Sequence, residues 1–442
     1  MSVGSPSLPA RKLAFFVGEQ IILFLSFVGG ALLVTRSFGP GPSRTMLLVQ
    51  AALATLSLQA GLYLADLYDF KVAFRDAPRA ARLLRALGAV TIVCGVATLL
   101  VPGPSPARAA AVAGLGGACT VALVLRAALP DLGRAVSLRA RLLLIGQGAA
   151  AATLIKEIVE DGHSEVVAQV AVGAAELVEV ARVSGADAVV VAVDDRRGLD
   201  VRELLACRLA GLDVFDAPTF AERALKKIPV GLARPSDLVF SDGFGRPAWL
   251  LLARRAVSLA AAVVLSVLAL PILVIAAILI KLDSRGPLFY TQERVGAQGR
   301  NFQMLKFRTM QVGAETKGAV WAQRNDPRVT RVGKWLRRFR VDELPQIINV
   351  LKGEMNIVGP RPERPEFVAK LRTQIPYYDL RALVPPGITG WAQIRYPYAA
   401  SLEEAREKLQ YDLFYVKHLS VLLDLVILFH TAKVVLFGRG AR

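Results

Sequence analysis

Cysteine and histidine are nearly absent from this 442-residue chain, with three of each. Cys94 and Cys119 sit inside apolar runs and Cys207 stands alone, which excludes a disulfide framework and a thiolate metal cage. His163, His418 and His430 have no metal-ligand spacing and read as packing residues. None of the nine tyrosines is followed four positions later by lysine. The Tyr-x-x-x-Lys proton-transfer couple of NAD-dependent sugar dehydratases and epimerases is therefore missing. Acids are also scarce, 36 against 54 Lys and Arg, giving a formal net charge of +18. Those cations cluster beside apolar runs, which points to anionic membrane lipids as partners and to no nucleic acid.

What is abundant is hydrophobic surface, at 54% of residues. Runs 13–34, 46–64, 83–101 and 109–129 are each long enough to cross a hydrocarbon core of about 30 Å, and predict a four-helix transmembrane bundle over residues 1–134. Gln50 and Gln59 interrupt the second run, and a bundle interior can satisfy both amides. Lys71, Arg75, Arg79 and Arg82, and then Arg134, Arg139 and Arg141, put those ends and the N-terminus in the cytoplasm. Arg11 and Lys12 precede the first run without a small-residue cleavage site after it, so the run reads as a retained anchor.

Residues 135–234 change pattern. A short apolar strand at 142–145 leads into Gly146, Gly148 and Ala151, a G-x-G-x-x-A turn, and further strands are expected at 188–193 and 212–215. This predicts a small Rossmann-like α/β domain. Residues 166–173 offer no acid to hold a ribose, so the turn reads equally as a tight strand-to-helix connection without ligand, and the module as structural or regulatory. A polar connector, 235–253, leads to a catalytic domain at 254–442. Its first run, 256–280, has basic residues on both flanks, Arg254 and Arg255 before it and Lys281, Arg285, Arg294 and Arg300 after it. With Pro271 inside, the run is expected to bend as a re-entrant helix pair and return to the cytoplasmic side. The apolar segment 421–437, interrupted by Asp424, His430 and Lys433, is expected to lie along the membrane.

Residues 286–390 are dense in Gly, Pro, Arg and paired acids. Lys306 and Arg308 alternate in a strand-like pentapeptide that sends both cations to one face, either a solvated edge or a diphosphate clamp. Asp342 and Glu343 open a helix behind Arg337, Arg338 and Arg340. Asp342 there is an N-cap, or else an ionised nucleophile beside a carboxylate that holds Mg²⁺ through hard oxygens. Gly359-Pro360-Arg361-Pro362 is a rigid turn or a preset phosphate ligand. Pro385 to Trp391 is a second stiff loop whose Trp faces a nucleotide base or the lipid interface.

From about Arg254 onward the chain resembles the bacterial sugar transferases, the monotopic phosphoglycosyl transferases that start exopolysaccharide, capsule and O-antigen synthesis. The resemblance rests on Gly286-Pro287-Leu288-Phe289-Tyr290, residues 306–310, Asp326-Pro327-Arg328, Asp342-Glu343-Leu344-Pro345-Gln346, Gly359-Pro360-Arg361-Pro362 and Pro386-Gly387-Ile388-Thr389-Gly390-Trp391. Upstream, it extends to the polytopic members that add four spanning helices and a Rossmann-like domain. It implies transfer of a sugar 1-phosphate from a UDP-sugar to undecaprenyl phosphate on the cytoplasmic face of the bacterial inner membrane. By the same resemblance Asp342 is the nucleophile, Glu343 binds Mg²⁺, and Lys306, Arg308, Arg328, Arg337 and Arg361 bind substrate phosphates. The family's re-entrant helix often bends at Ser-Pro, whereas here Leu270 precedes Pro271. The non-enzymatic alternative is a membrane scaffold of a polysaccharide export machine, and self-pairing of residues 235–247 would make the protein a homodimer.

Overall fold

The structure, a computed structural model, describes residues 8–38, 43–64, 87–88, 105–135, 140–162, 164–241, 243–245, 247–313, 326–396 and 401–437. It divides into two compact units, Met1–Ala217 and Pro218–Arg442.

In the first unit, α1 (Leu8–Phe38), α2 (Arg44–Leu64) and α3 (Ser105–Ala135) pack together around Leu23, Phe27, Ala51, Leu58 and Leu115. Each contains a stretch long and apolar enough to cross a membrane: Phe16–Thr35, Arg44–Tyr63 and Arg108–Leu125. The run expected at 83–101 lies outside the described residues except for 87–88. Gln59 is buried and donates through Nε2 to the Phe16 carbonyl at 2.8 Å, and Gln20 donates to Thr55 Oγ1 at 3.0 Å. These polar bonds hold α1 to α2 where lipid offers no hydrogen-bond partner.

The same unit contains a parallel four-stranded sheet in the order β2-β1-β3-β4, built from β1 (Ala140–Ile145), β2 (Ser164–Val170), β3 (Ala188–Val191) and β4 (Asp213–Asp216). The connecting helices are α4 (Ala149–Asp161), α5 (Leu177–Ser184) and α6 (Val201–Leu209). Leu142, Leu143 and Leu144 are fully buried, which explains the unbroken apolar run of β1. β2 is a strand beyond those expected from the sequence, and the module expected to run to 234 ends earlier. Ile228 and Val230 belong to the core of the second unit, the Ile228 N–H donates to the Gln410 carbonyl at 3.0 Å, and Lys227 pairs with Glu407 at 2.6 Å. Glu222 meets Lys417 at 2.8 Å and His418 at 2.7 Å. Ile228→Ala is therefore expected to destabilise the second unit by about 2–5 kcal/mol, read as a lower melting temperature.

The second unit begins its long helix, α7, at Ala248 and continues it without a break through Pro271 to Asp283, 36 residues or about 54 Å. Its buried positions, Leu250, Arg254, Ser258, Ala262, Ala269, Ala276 and Ile280, recur at intervals of four and seven and form one stripe. Other positions between them, Val264, Leu268, Leu270 and Ile275 among them, expose apolar side chains. Both ends dock on the same unit. Near the start, Ser258 Oγ accepts from the Ile357 N–H at 2.6 Å, and Arg255 donates to the Val350 and Met355 carbonyls at 2.7 and 3.1 Å. At the far end, Asp283 Oδ2 accepts from the Val332 N–H at 3.1 Å, and Ala276 and Ile280 pack with Phe307 and Leu336. Arg254 donates to Asp424 Oδ2 at 2.8 Å and to the Tyr415 hydroxyl, deep in the protein. Arg254 and Arg255, read from sequence as membrane-flanking charges, are thus spent on internal contacts.

After α7 come the antiparallel pair β5 (Phe289–Val295) and β6 (Asn301–Phe307), then α8 (Arg331–Arg338), a 3-10 turn at Val341–Gln346 and α9 (Ile347–Lys352). β7 (Asn356–Val358) pairs in parallel with β8 (Gly387–Thr389). Two final helices, α10 (Leu402–Lys417) and α11 (Val421–Phe437), contribute Leu409, Leu413, Tyr415 and Ile427 to the core.

Candidate active site

The acid pair sits in the 3-10 turn that follows α8, where Arg340 adopts a left-handed backbone (φ 58°) to reverse the chain. Asp342 is 9% and Glu343 8% exposed. Arg340, not Asp342, holds the N-cap position, and Asp342 Oδ1 is buried without a hydrogen bond. The N-cap reading of Asp342 therefore fails, because its carboxylate satisfies no helix amide.

The neighbouring carboxylate has the opposite environment. Glu343 Oε1 accepts from Arg361 Nη2 at 2.8 Å and lies 3.5 Å from Lys306 Nζ and 3.6 Å from Arg340 Nη1. Burial raises the Glu343 pKa, but the charges of Arg361 and Lys306 and the Arg361 hydrogen bond outweigh it and hold the group well below the usual carboxylate range. For Asp342, burial and then the charge of Glu343 push the pKa up, and Lys306, Arg337 and Arg340 offset this only in part. Burial lowers the Lys306 pKa, against the attraction of Glu343. Two adjacent acids are thus driven apart, one firmly ionised and matched by cations, the other more basic and with a buried oxygen that makes no hydrogen bond.

Arg361 is set by a knot of backbone. The Gly359 N–H donates to the Thr389 carbonyl at 2.9 Å and the Gly387 N–H to the Pro360 carbonyl at 2.9 Å. A Cβ on Gly387 would fall 2.1 Å from Gly359 N, so the two Gly-Pro motifs cross where only glycine fits. Arg381 Nη2 donates to the Arg361 carbonyl at 2.9 Å and pairs with buried Asp412 at 2.8 Å, while its Nη1 donates to the Tyr378 hydroxyl at 2.8 Å. Arg294 donates to the Pro362 carbonyl at 3.1 Å. The Tyr415 hydroxyl lies 3.1 Å from the Val358 carbonyl, one residue before the knot.

The sequence-predicted cations divide. Lys306, Arg361 and the Asp342–Glu343 pair converge, and Arg337, donating to Thr309 Oγ1 at 2.9 Å, is near enough for its charge to favour ionised Asp342. Arg308 does not share the face of Lys306. Its guanidinium donates to the Ser284 carbonyl at 2.7 Å, to Ser284 Oγ at 2.9 Å and to the Arg285 carbonyl at 2.8 Å, tying down the chain where α7 ends. Arg328 is committed to Asp326 through bonds of 2.6 and 2.9 Å, and that pairing lowers the Asp326 pKa to about 2. Trp391 faces neither a base nor lipid: it is buried, stacks on Phe414 and donates through Nε1 to the Lys226 carbonyl at 2.9 Å. Sequence reasoning missed Arg340 as the third cation on Glu343, and it missed the Arg381–Asp412 support. Arg381 lies in an unremarked stretch, Tyr378–Leu383, with no local signal.

Among the described residues no group of three or more His, Cys, Asp or Glu could hold a metal ion unaided. A cleft of about 630 Å³, bordered by Phe244, Leu251, Arg255, Gln298 and Pro385, lies apart from the acid pair, so the site is defined by its charge arrangement.

Residues 249–438 match the family model described as bacterial sugar transferase. The chain is 40% identical over 249 residues to a UDP-N-acetylgalactosamine-undecaprenyl-phosphate N-acetylgalactosaminephosphotransferase of Aeromonas hydrophila, covering 56% of this chain and 58% of the relative. It is 38% identical over 274 residues to an undecaprenyl-phosphate glucose phosphotransferase of Komagataeibacter xylinus, covering 60% and 52%. It is 41% identical over 182 residues to a UDP-glucose:undecaprenyl-phosphate glucose-1-phosphate transferase of Caulobacter vibrioides, covering 41% of this chain and 68% of the relative. The chain spans a little over half the length of the first two.

Proposed function

The chain belongs to the bacterial sugar transferase family, and on that premise we propose that it transfers a sugar 1-phosphate from a UDP-sugar to undecaprenyl phosphate, releasing UMP, as the first membrane step of a polysaccharide. The observation that carries this reading is the asymmetry of the acid pair, a buried Asp342 carboxylate with an unbonded oxygen and a raised pKa beside an ionised, cation-matched Glu343. A buried carboxylate with a raised pKa is the more nucleophilic once ionised. Asp342 attacks the phosphorus that carries the sugar, the anhydride P–O bond breaks, and UMP leaves. A phosphate oxygen of the lipid then attacks the same phosphorus and frees the Asp342 carboxylate. Lys306, Arg337 and Arg361 neutralise the diphosphate during both displacements.

Glu343 is the residue that would hold Mg²⁺ in this arrangement. Lys306, Arg340 and Arg361 all approach Glu343 through Oε1, and its carboxylate is a hard oxygen donor of the kind Mg²⁺ combines with phosphate oxygens and water. Held there by Glu343, the ion would neutralise charge on the diphosphate.

Both ends of α7 dock on the second unit, while side chains between them expose an apolar surface. This supports a re-entrant placement by one continuous helix instead of the expected pair bent at Pro271, dipping into one leaflet of the inner membrane from the cytoplasmic side with the acid pair near the lipid phosphate. The parallel sheet order supports a Rossmann-like module in the first unit, with a structural or regulatory role.

The test is release of UMP from UDP-sugars by purified protein with Mg²⁺, with and without undecaprenyl phosphate. Lipid-dependent release is expected, and no release from any UDP-sugar would favour the export scaffold. Arg381→Lys keeps the charge but loses the fork that reaches Asp412, Tyr378 and the Arg361 carbonyl at once. It is expected to lower kcat/KM on the order of tenfold to a hundredfold through misplacement of Arg361, with Asp342 reactivity otherwise intact.

A further inference from the structure

The G-x-G-x-x-A turn of the first unit is not used by the transferase reading, and it sits where open α/β sheets bind ligands. In the order β2-β1-β3-β4, the chain leaves β1 toward β2 on one side and β3 lies on the other, so the crevice at their C-terminal ends is a topological switch point. The turn Gly146-Gln147-Gly148 leads from β1 into α4, a 13-residue helix whose N-cap, Gly148, offers no side chain. In dinucleotide sites the free N–H groups at this helix start take a pyrophosphate.

Here two of them are already taken. Asp194, just beyond β3, accepts from the Ala149 N–H through Oδ2 at 3.0 Å and from the Ala150 N–H through Oδ1 at 3.1 Å. Gly148 is explained by this contact and Gly146 by the neighbouring Ala192 carbonyl. A Cβ on Gly148 would fall 2.0 Å from Asp194 Oδ2, and Gly146, at φ +123°, would carry its Cβ 2.1 Å from the Ala192 carbonyl oxygen. The Ala192 N–H donates to the Ile145 carbonyl at 2.8 Å, fixing the β3 loop on the turn. Past the end of β2, residues 171–175 carry no acid to hold a ribose.

We propose that Asp194 is the permanent anion of this cradle, so that the α/β unit is closed to dinucleotides and nucleoside diphosphates and uses the turn to clip β3 to α4. A phosphate entering the same position would be placed against the Asp194 carboxylate, and the carboxylate is tethered and present at every moment, which gives it the advantage of an intramolecular ligand.

Hydrogen exchange of the full-length protein, read by mass spectrometry on peptides covering residues 146–152, tests this locally. Inorganic pyrophosphate and NADH at millimolar concentration are expected to leave exchange of the wild type unchanged in this segment. Asp194→Ala is expected to speed exchange of the Ala149 and Ala150 amides by about tenfold, the size of a lost helix cap, and pyrophosphate should then slow it again. Asp194→Asn keeps the shape with one acceptor oxygen and no charge, so its exchange should lie between the two even if the alanine variant folds poorly. Protection of this segment in the wild type by either probe would overturn the proposal. So would unchanged exchange in both variants, or failure of pyrophosphate to slow the alanine variant.

Discussion

Asp342→Asn is expected to reduce lipid-dependent UMP release by at least about a thousandfold while leaving the protein as stable as the wild type or slightly more so at neutral pH. The two halves of this result come from one observation. Asp342 Oδ1 makes no hydrogen bond, and burial together with Glu343 raises the pKa, so the ionised side chain is a cost to the fold. A group whose native pKa lies above its unfolded value holds its proton longer in the folded state. Its contribution to stability therefore falls as pH rises from below the unfolded pKa through the native one. Asparagine removes that penalty along with the nucleophile. Thermal melting of both proteins across pH, beside the release assay, checks the sign: an equally inactive but clearly less stable variant would assign Asp342 a structural role. The acid limb of the wild-type rate profile should likewise be shifted upward from that of an ordinary aspartate, because the nucleophile must be ionised.

Glu343→Gln, one residue along, is expected to lose activity and stability together. The substitution leaves Arg361, Lys306 and Arg340 around a neutral amide, and breaking a buried, charge-matched group of this kind costs about 3–5 kcal/mol. The linkage sign is opposite to that of Asp342. The native pKa of Glu343 is depressed, so its stabilisation is fully present above the unfolded value and is lost only as pH falls through the native one. The wild-type advantage over Glu343→Gln should thus be complete at neutral pH and shrink in acid. Added Mg²⁺ should not rescue the variant, since an amide oxygen is a weaker donor and the cations are left unmatched. A variant that melts like the wild type would show that the cation cluster is not held by Glu343.

The contrast between these neighbours could not be read from the sequence, where Asp342 and Glu343 are simply adjacent acids behind several arginines. Which arginines reach them is decided by chain paths far apart in sequence. Arg361 arrives on a loop fixed by the crossing of Gly359 and Gly387, and its carbonyl is held by Arg381 with Asp412. Arg308, two residues from Lys306, turns away to the end of α7, because the carbonyls there lack helix partners. Arg328 is consumed by the acid two positions before it.

By itself the sequence determined the features that depend on local composition. Apolar runs of membrane length marked α1, α2, α3 and α7, because burying or embedding some twenty apolar residues leaves few other options. The acid pair, the Gly-Pro loops and the glycine turn were also legible, since those residue types serve special backbones and charges. Tertiary structure alone decided the partners. It assigned three cations to Glu343 and none by hydrogen bond to Asp342 Oδ1, carried α7 unbroken through Pro271, and joined residues 218–234 to the catalytic unit. It also filled the glycine turn with Asp194, 45 positions from the amide it caps. The physical reason is common to all of these. Periodicity and composition report whether a side chain is buried, whereas the choice among chemically equal partners is made by long-range packing, which a local pattern does not encode.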